Sequence, residues 1–318
     1  MNGTIQGGTT SPSSRDKKRG KAGKKEIESR PLGSGLGIEI RELDLRPDLE
    51  DSSLTLLQKH LDEDRVVCLS GQELSLQRFL EVGRRFGATQ VYPILGGGQG
   101  LPEVVCIEKR KGDRDIFSGR LRLLGSYLAN PPKAALLYNP PSSPSFDMIF
   151  SSLALAWGGL SDLQQELFAN LIVDRSAVSE FGPEAVDPRR YTGQAPSPLI
   201  YSDTLFQSVQ HPMVRVEPQS GEKSLYIDEA FSSTVDRLNK EESRAILDFL
   251  ADHCRKPEYG CRITVWPGAV LMWDARAVSF MAPTVPVDKT RLCYMVALNA
   301  EEDVTGPNDP VSEPDLAS

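Results

Sequence analysis

The apolar positions change period repeatedly along the chain, and each change marks an element. LGIEIRELDL (residues 36–45) alternates apolar and polar side chains as a half-buried strand does, and SSLTLLQKHLDED (52–64) then moves to helical spacing. RVVCLSG is a short β-rich run closed by a glycine, and SLQRFLEVGRRFG is a second amphipathic helix with Gly87 as its C-cap. EVVCIEK and KAALLYN read as strands, and LSDLQQELFANL as a third helix with Ser161 as N-cap. Past residue 211, MVRVEP, KSLYID, CRITVW, AVLMWD and LCYMVAL are strand-like, and NKEESRAILDFLADHC between them is a helix. Many strands with a few outer helices predict a mainly β fold, a sandwich or jelly-roll decorated by helices.

Composition adds limits. The 318 residues are enough for a sizeable core, and 39% apolar with 25% charged residues is the balance of a globular chain. Of the net charge of −8, residues 1–31 hold +5, which leaves about −13 on the remainder. An acidic body argues against a nucleic-acid surface, because phosphate binding needs clustered cations. No apolar run reaches the length of a membrane span, and the N-terminus lacks the apolar stretch of a secretory signal. Residues 1–31 read as a disordered basic tail, 32–302 as one domain and 303–318 as an acidic tail. The run KKRGKAGKK reads first as a solvated segment and secondly as a nuclear address. Five scattered cysteines, without a CxxC pair, fit reduced thiols in the cytoplasm.

Four segments carry a family likeness, in order and near the expected spacing: GIEIRELDLRPDL with DRVVCLSGQELSLQRFLEVGRRFG, HPMVRVEPQSGEKSLYIDEAF, RKPEYGCRITVWPGAVLMWDAR and RLCYMVAL. Together they resemble the taurine/2-oxoglutarate dioxygenase (TauD/TfdA) family over about 270 residues. That resemblance implies a double-stranded β-helix of the clavaminate synthase type, with Fe(II) on a two-His, one-carboxylate face open to 2-oxoglutarate and oxygen.

The resemblance also says where the ligands should stand. A His-x-Asp pair belongs shortly before Pro131-Pro132, and the frame of Phe117, Gly119 and Tyr127 places Arg122 and Leu124 there. A last histidine belongs six residues after the aspartate of Trp273-Asp274-Ala-Arg276, where Phe280 stands. Arginine is always protonated and offers no lone pair, and Leu and Phe carry no donor. The chain's three histidines, His60, His211 and His253, lie outside any His-x-Asp pair and read as surface or supporting residues. The expectation is therefore no metal ligands and no cofactor, with Fe(II) entering only if the family reading holds.

For the co-substrate, the resemblance assigns Arg291 to the distal carboxylate of 2-oxoglutarate. Met148 stands in place of the family's threonine beside Asp147, and Tyr294 and Met295 stand in place of basic residues after Arg291. An apolar hollow with Arg122 and Arg291 at its rim suits a small-molecule acid or hydrophobic metabolite. Arg122, Tyr127, Asp147 and Tyr294 are its candidate chemical groups, with Cys293 nearby. Four functions follow as expectations. The first is a non-oxidative or degenerate homologue of small-molecule (secondary) metabolism, acting as a ligand-binding or partner subunit. The others are a metal-free isomerase, cyclase or hydrolase, the family's dioxygenase activity on a sulfonate or other small acid, and a scaffold for a homo- or hetero-oligomer.

Overall fold

The computed structural model describes residues 27–33, 35–112, 119–182, 202–218 and 220–300. The N-terminal tail up to residue 26, Phe117 and the acidic C-terminal tail lie outside the described residues.

One large sheet organises the chain. Its strands run in the order Glu28–Pro31, Ile38–Arg41, Val66–Leu69, Val270–Asp274, Ala134–Tyr138, Arg291–Leu298, Leu101–Lys109 and Gly97–Gly98, and Thr89–Gln90 pairs on the side of Arg291–Leu298. All of these pairings are antiparallel except Ile38–Arg41 with Val66–Leu69. Facing it is a three-stranded sheet with Phe146–Ser152 between Gly260–Val265 and Val278–Met281. This is the expected jelly-roll, mostly β with a few outer helices.

The pleat sorts the side chains into two cores, because successive residues of a strand point to opposite faces. From Val270–Asp274, Leu271 and Trp273 face the smaller sheet, where they meet Met148, Phe150, Ile263 and Val278. Val270 and Met272 go to the other face, with Leu57, Leu61, Phe79 and Leu80 from the helices Asp51–Asp64 and Leu76–Phe86. The helix starts are capped as the residue types demand. Ser75 accepts from the Arg78 N–H, Ser161 closes a capping box with Gln164, and Asn239 does so with Glu242.

The predicted boundary at residue 31 needs correction. Glu28–Pro31 is an edge strand, fully exposed, that pairs with Ile38–Arg41 in the register Glu28↔Arg41 to Pro31↔Ile38. Ladder hydrogen bonds rather than buried apolar area hold it, so its polarity concealed it.

Candidate active site

Between the two sheets lies a cavity of about 80 Å³. Arg122, Leu124, Met148, Phe280 and Arg291, named from sequence, all line it. Their convergence has a main-chain cause. Arg122 and Phe280 form an antiparallel bridge and exchange both backbone hydrogen bonds, Arg122 N–H to Phe280 O and Phe280 N–H to Arg122 O, each at 2.8 Å. Leu124 follows at the turn where Gly125 takes φ +65°, and a Cβ on Gly125 would stand 2.8 Å from Pro132 Cδ. Only glycine fits both conditions without strain.

Asp228 holds this segment from behind. It is wholly buried, and one of its carboxylate oxygens accepts from the Leu123 N–H at 2.8 Å and Ser126 Oγ at 2.7 Å. The other accepts from the N–H groups of Ala230 at 2.8 Å and Phe231 at 3.0 Å. Burial raises the Asp228 pKa above the ordinary aspartate value, against the opposing charge of the equally buried Arg175 and the donors on its oxygens.

The Arg122 guanidinium is fixed on several sides. Its Nη2 donates to Glu180 Oε2 at 2.6 Å, and its Cζ lies 5.9 Å from the Phe181 ring centroid and 5.6 Å from that of Phe231. Glu180 also pairs with Arg120, which is half exposed. Arg291 is 3% exposed, with its Cζ 5.9 Å from the Phe146 ring centroid. Lys109 stands opposite it in register, its Nζ donating to the Lys289 carbonyl at 2.6 Å. Among the described lining residues, Arg122 and Arg291 are the charged ones, and none is a carboxylate.

Three of the four candidate chemical groups are not on the cavity wall. Arg291, Cys293 and Met295 face the cavity, so the pleat turns Tyr294 into the helix-covered core. The same alternation puts Met148 inward and Asp147 outward. There Asp147 accepts from Arg262 Nη2 at 2.6 Å and Thr264 Oγ1 at 2.8 Å. Tyr127 packs behind the wall, edge-on to Tyr92 and Phe231 with centroids 6.3 and 4.8 Å away. Burial raises the Tyr127 phenol well above its usual range and pushes Tyr92, which does line the cavity, up to about 12. Neither phenol is a base at neutral pH.

Burial pushes the Asp147 carboxyl up, but the Thr264 and Arg262 hydrogen bonds outweigh it and hold the pKa below the usual aspartate value. A depressed pKa contributes stability that is present above the unfolded-state value and lost as pH falls through the folded one. The Asp147→Asn variant is expected to lose about 0.5 kcal/mol at neutral pH, as a largely solvated pair does. The difference from wild type should vanish in acid, and small-acid binding should be unchanged. Urea melts at two pH values and a binding isotherm check this.

The histidines have structural partners. His211 Nε2 lies 2.8 Å from the Leu128 carbonyl, His253 Nε2 lies 2.8 Å from the Ala156 carbonyl, and His60 Nδ1 lies 2.8 Å from Asp64 Oδ2. Among the described residues no group of three or more His, Cys, Asp or Glu side chains could hold a metal ion. Glu180, Phe181, Asp228 and Phe231 were not anticipated from sequence. Glu180 and Phe181 lie on the four-residue helix Val178–Phe181, Asp228 and Phe231 lie in the turn after the strand Lys223–Leu225, and they meet Arg122 and Leu123 only through the fold.

A jelly-roll with a mainly apolar cavity between its sheets is thus the class that fold and site define. The chain belongs to the taurine catabolism dioxygenase TauD, TfdA family, whose model matches residues 28–279. It is 22% identical to the alkylsulfatase of Acinetobacter baylyi over 87% of this chain and 86% of that protein. It is 24% identical to the alpha-ketoglutarate-dependent sulfate ester dioxygenase of Pseudomonas putida, over 88% and 91%. Among solved structures, a taurine dioxygenase from Burkholderia xenovorans matches with a TM-score of 0.71 at 26% identity, covering 89% of this chain and 94% of that one.

Proposed function

We propose that this protein holds a small organic acid in the cavity between Arg122, Leu124, Phe280 and Arg291, and that it does so without iron, as a non-oxidative member of its family. The observation that carries this reading is the chemistry of three side chains. The positions that the family likeness assigns to metal ligands converge on one cavity, and they present a guanidinium, an isobutyl group and a phenyl ring. None of these donates a lone pair to a metal. The residues present therefore do not fit Fe(II), and no step is derived through it. Arg291, with its fork of N–H donors, suits a carboxylate in an otherwise apolar setting.

A second reading is the family activity, 2-oxoglutarate-dependent oxidation of a sulfonate, sulfate ester or other small acid. It is supported by the Pseudomonas putida relative, which bears an alpha-ketoglutarate-dependent name and covers nearly the whole chain. A metal-free isomerase, cyclase or hydrolase gains less, since Asp147 and Tyr294 point away from the cavity. Five free cysteines, four of them buried, fit a reducing cytosolic setting, and no helix among the described residues is long and apolar enough to cross a membrane.

Anaerobic titration of the purified protein with Fe(II) and 2-oxoglutarate separates the first two readings. The expected result is no stoichiometric iron, no visible charge-transfer band and no succinate release in air. One iron per chain with 2-oxoglutarate-dependent succinate would establish the oxygenase instead. Arg291→Ala is expected to weaken carboxylate binding at least tenfold, the scale of a hydrogen-bonded ion pair.

A further inference from the structure

We propose that a polar cleft at one end of the large sheet binds a small phosphate monoester, with Lys133, Arg215 and Arg276 receiving the phosphate and Phe86 beside its organic group. The cleft has a volume of about 380 Å³ and, among the described residues, shares no lining side chain with the cavity between the sheets. It therefore stands apart from the acid-binding reading. Its walls come from the helix Asp51–Asp64, the end of the helix Leu76–Phe86, and the hairpin that joins Val214–Val216 to Lys223–Leu225.

Main-chain bonds bring the cations together. The Lys133 N–H donates to the Leu298 carbonyl at 3.0 Å, and the Lys133 carbonyl accepts from the Ala275 N–H at 2.9 Å, one residue from Arg276. Arg215 enters from the hairpin, its Nη2 2.7 Å from Glu217 Oε2. The carboxylates on the wall are occupied in holding this frame. Asp274 accepts from Arg65 Nη1 at 3.0 Å with one oxygen, and from the Arg276 and Ala277 N–H groups at 3.0 and 3.1 Å with the other. Asp62, exposed, accepts from Gln58 Nε2 at 2.8 Å. Lys133 forms no ion pair among the described residues. Arg215 and Arg276 are 4% and 5% exposed, and burial, together with the like charge of Arg215, lowers the Arg276 pKa. An anion in the cleft offsets that repulsion.

The charge and shape of the wall select the head group. A phosphate monoester carries close to two charges at neutral pH and three acceptor oxygens, one for each cationic side chain. Guanidinium forks match phosphate geometry, whereas a carboxylate brings a single charge and two oxygens. Phe86 is half-buried on the same wall and gives an aromatic or short alkyl group a surface to lie on.

The test titrates phenyl phosphate and benzoate, one ring with two head groups, into wild type and Lys133→Met, with affinities read from the amide resonances of Ala275 and Arg276. Wild type is expected to bind phenyl phosphate at least fivefold more tightly than benzoate, and Lys133→Met to weaken phenyl phosphate about tenfold, the loss of one charge-assisted hydrogen bond. The amides of Leu124 and Phe280 should not move. A full-length variant with Glu301→Gln, Glu302→Gln and Asp303→Asn should match wild type within about twofold, the scale of exposed, screened charges. Equal affinity for the two head groups, an unchanged affinity in Lys133→Met, or shifts at Leu124 and Phe280 instead would overturn the proposal. So would binding that appears only in the triple variant, which would assign the cleft to the chain's own acidic segment. If Lys133→Met fails to fold, the wild-type comparison of the two head groups and the location of the shifts decide.

Discussion

The triple variant Arg122→His, Leu124→Asp, Phe280→His is expected to bind one Co(II) per chain with visible d–d absorption, where the wild-type protein binds none. The reason lies in the main chain. Residues 122 and 280 exchange both backbone hydrogen bonds at 2.8 Å, so their side chains start from a directly opposed pair. All three side chains already reach the same cavity. Two imidazoles and a carboxylate placed there form a donor set of the kind that takes a divalent transition metal. The variant should reach at least micromolar affinity, a binding free energy on the order of −8 kcal/mol, where the wild-type protein shows no measurable affinity. Circular dichroism must show a folded variant. A folded variant that ignores cobalt would mean that these three positions do not form the family's metal face.

Asp228→Ala is expected to cost the most stability of any single substitution in the site. It strips the acceptor from three buried N–H groups and one hydroxyl and removes the carboxylate that opposes the buried charge of Arg175. Orphaned buried donors cost about 1–3 kcal/mol each, and a broken buried charge pair about 3–5 kcal/mol. Since these effects overlap, a net loss of about 4 kcal/mol is reasonable, which for a domain of this size lowers the melting temperature on the order of 10 °C. Asp228→Asn keeps one acceptor and should lie between. A loss below about 1 kcal/mol by calorimetry for Asp228→Ala would mean that the anchoring is not energetic.

Much of this architecture is legible in period alone. The unbroken apolar run LCYMVAL and the helical spacing of SLQRFLEVGRRFG survive folding because the strand is buried on both faces and the helix on one. The same rule exposes a weakness in grouping residues by sequence neighbourhood. Tyr294 and Asp147 each sit one residue from a cavity residue, and on a pleated strand one residue is the opposite face. Family spacing led to Arg122, Leu124 and Phe280 because a frame of Pro, Gly and Trp fixes the register around them. Glu180 was illegible for a different reason. It sits on the four-residue helix Val178–Phe181, too short for a pattern, and its partner is 58 residues away.

The central strands of the large sheet belong to both cores at once, since Trp273 and Met295 look into the cavity side while Met272 and Val296 lie under the helices. Opening the cavity layer by local unfolding therefore requires breaking hydrogen bonds that the helical layer also depends on. A ligand bound on one face should slow amide exchange on the other, so occupancy can be read from Leu136, Met272 and Val296 without any probe touching the site.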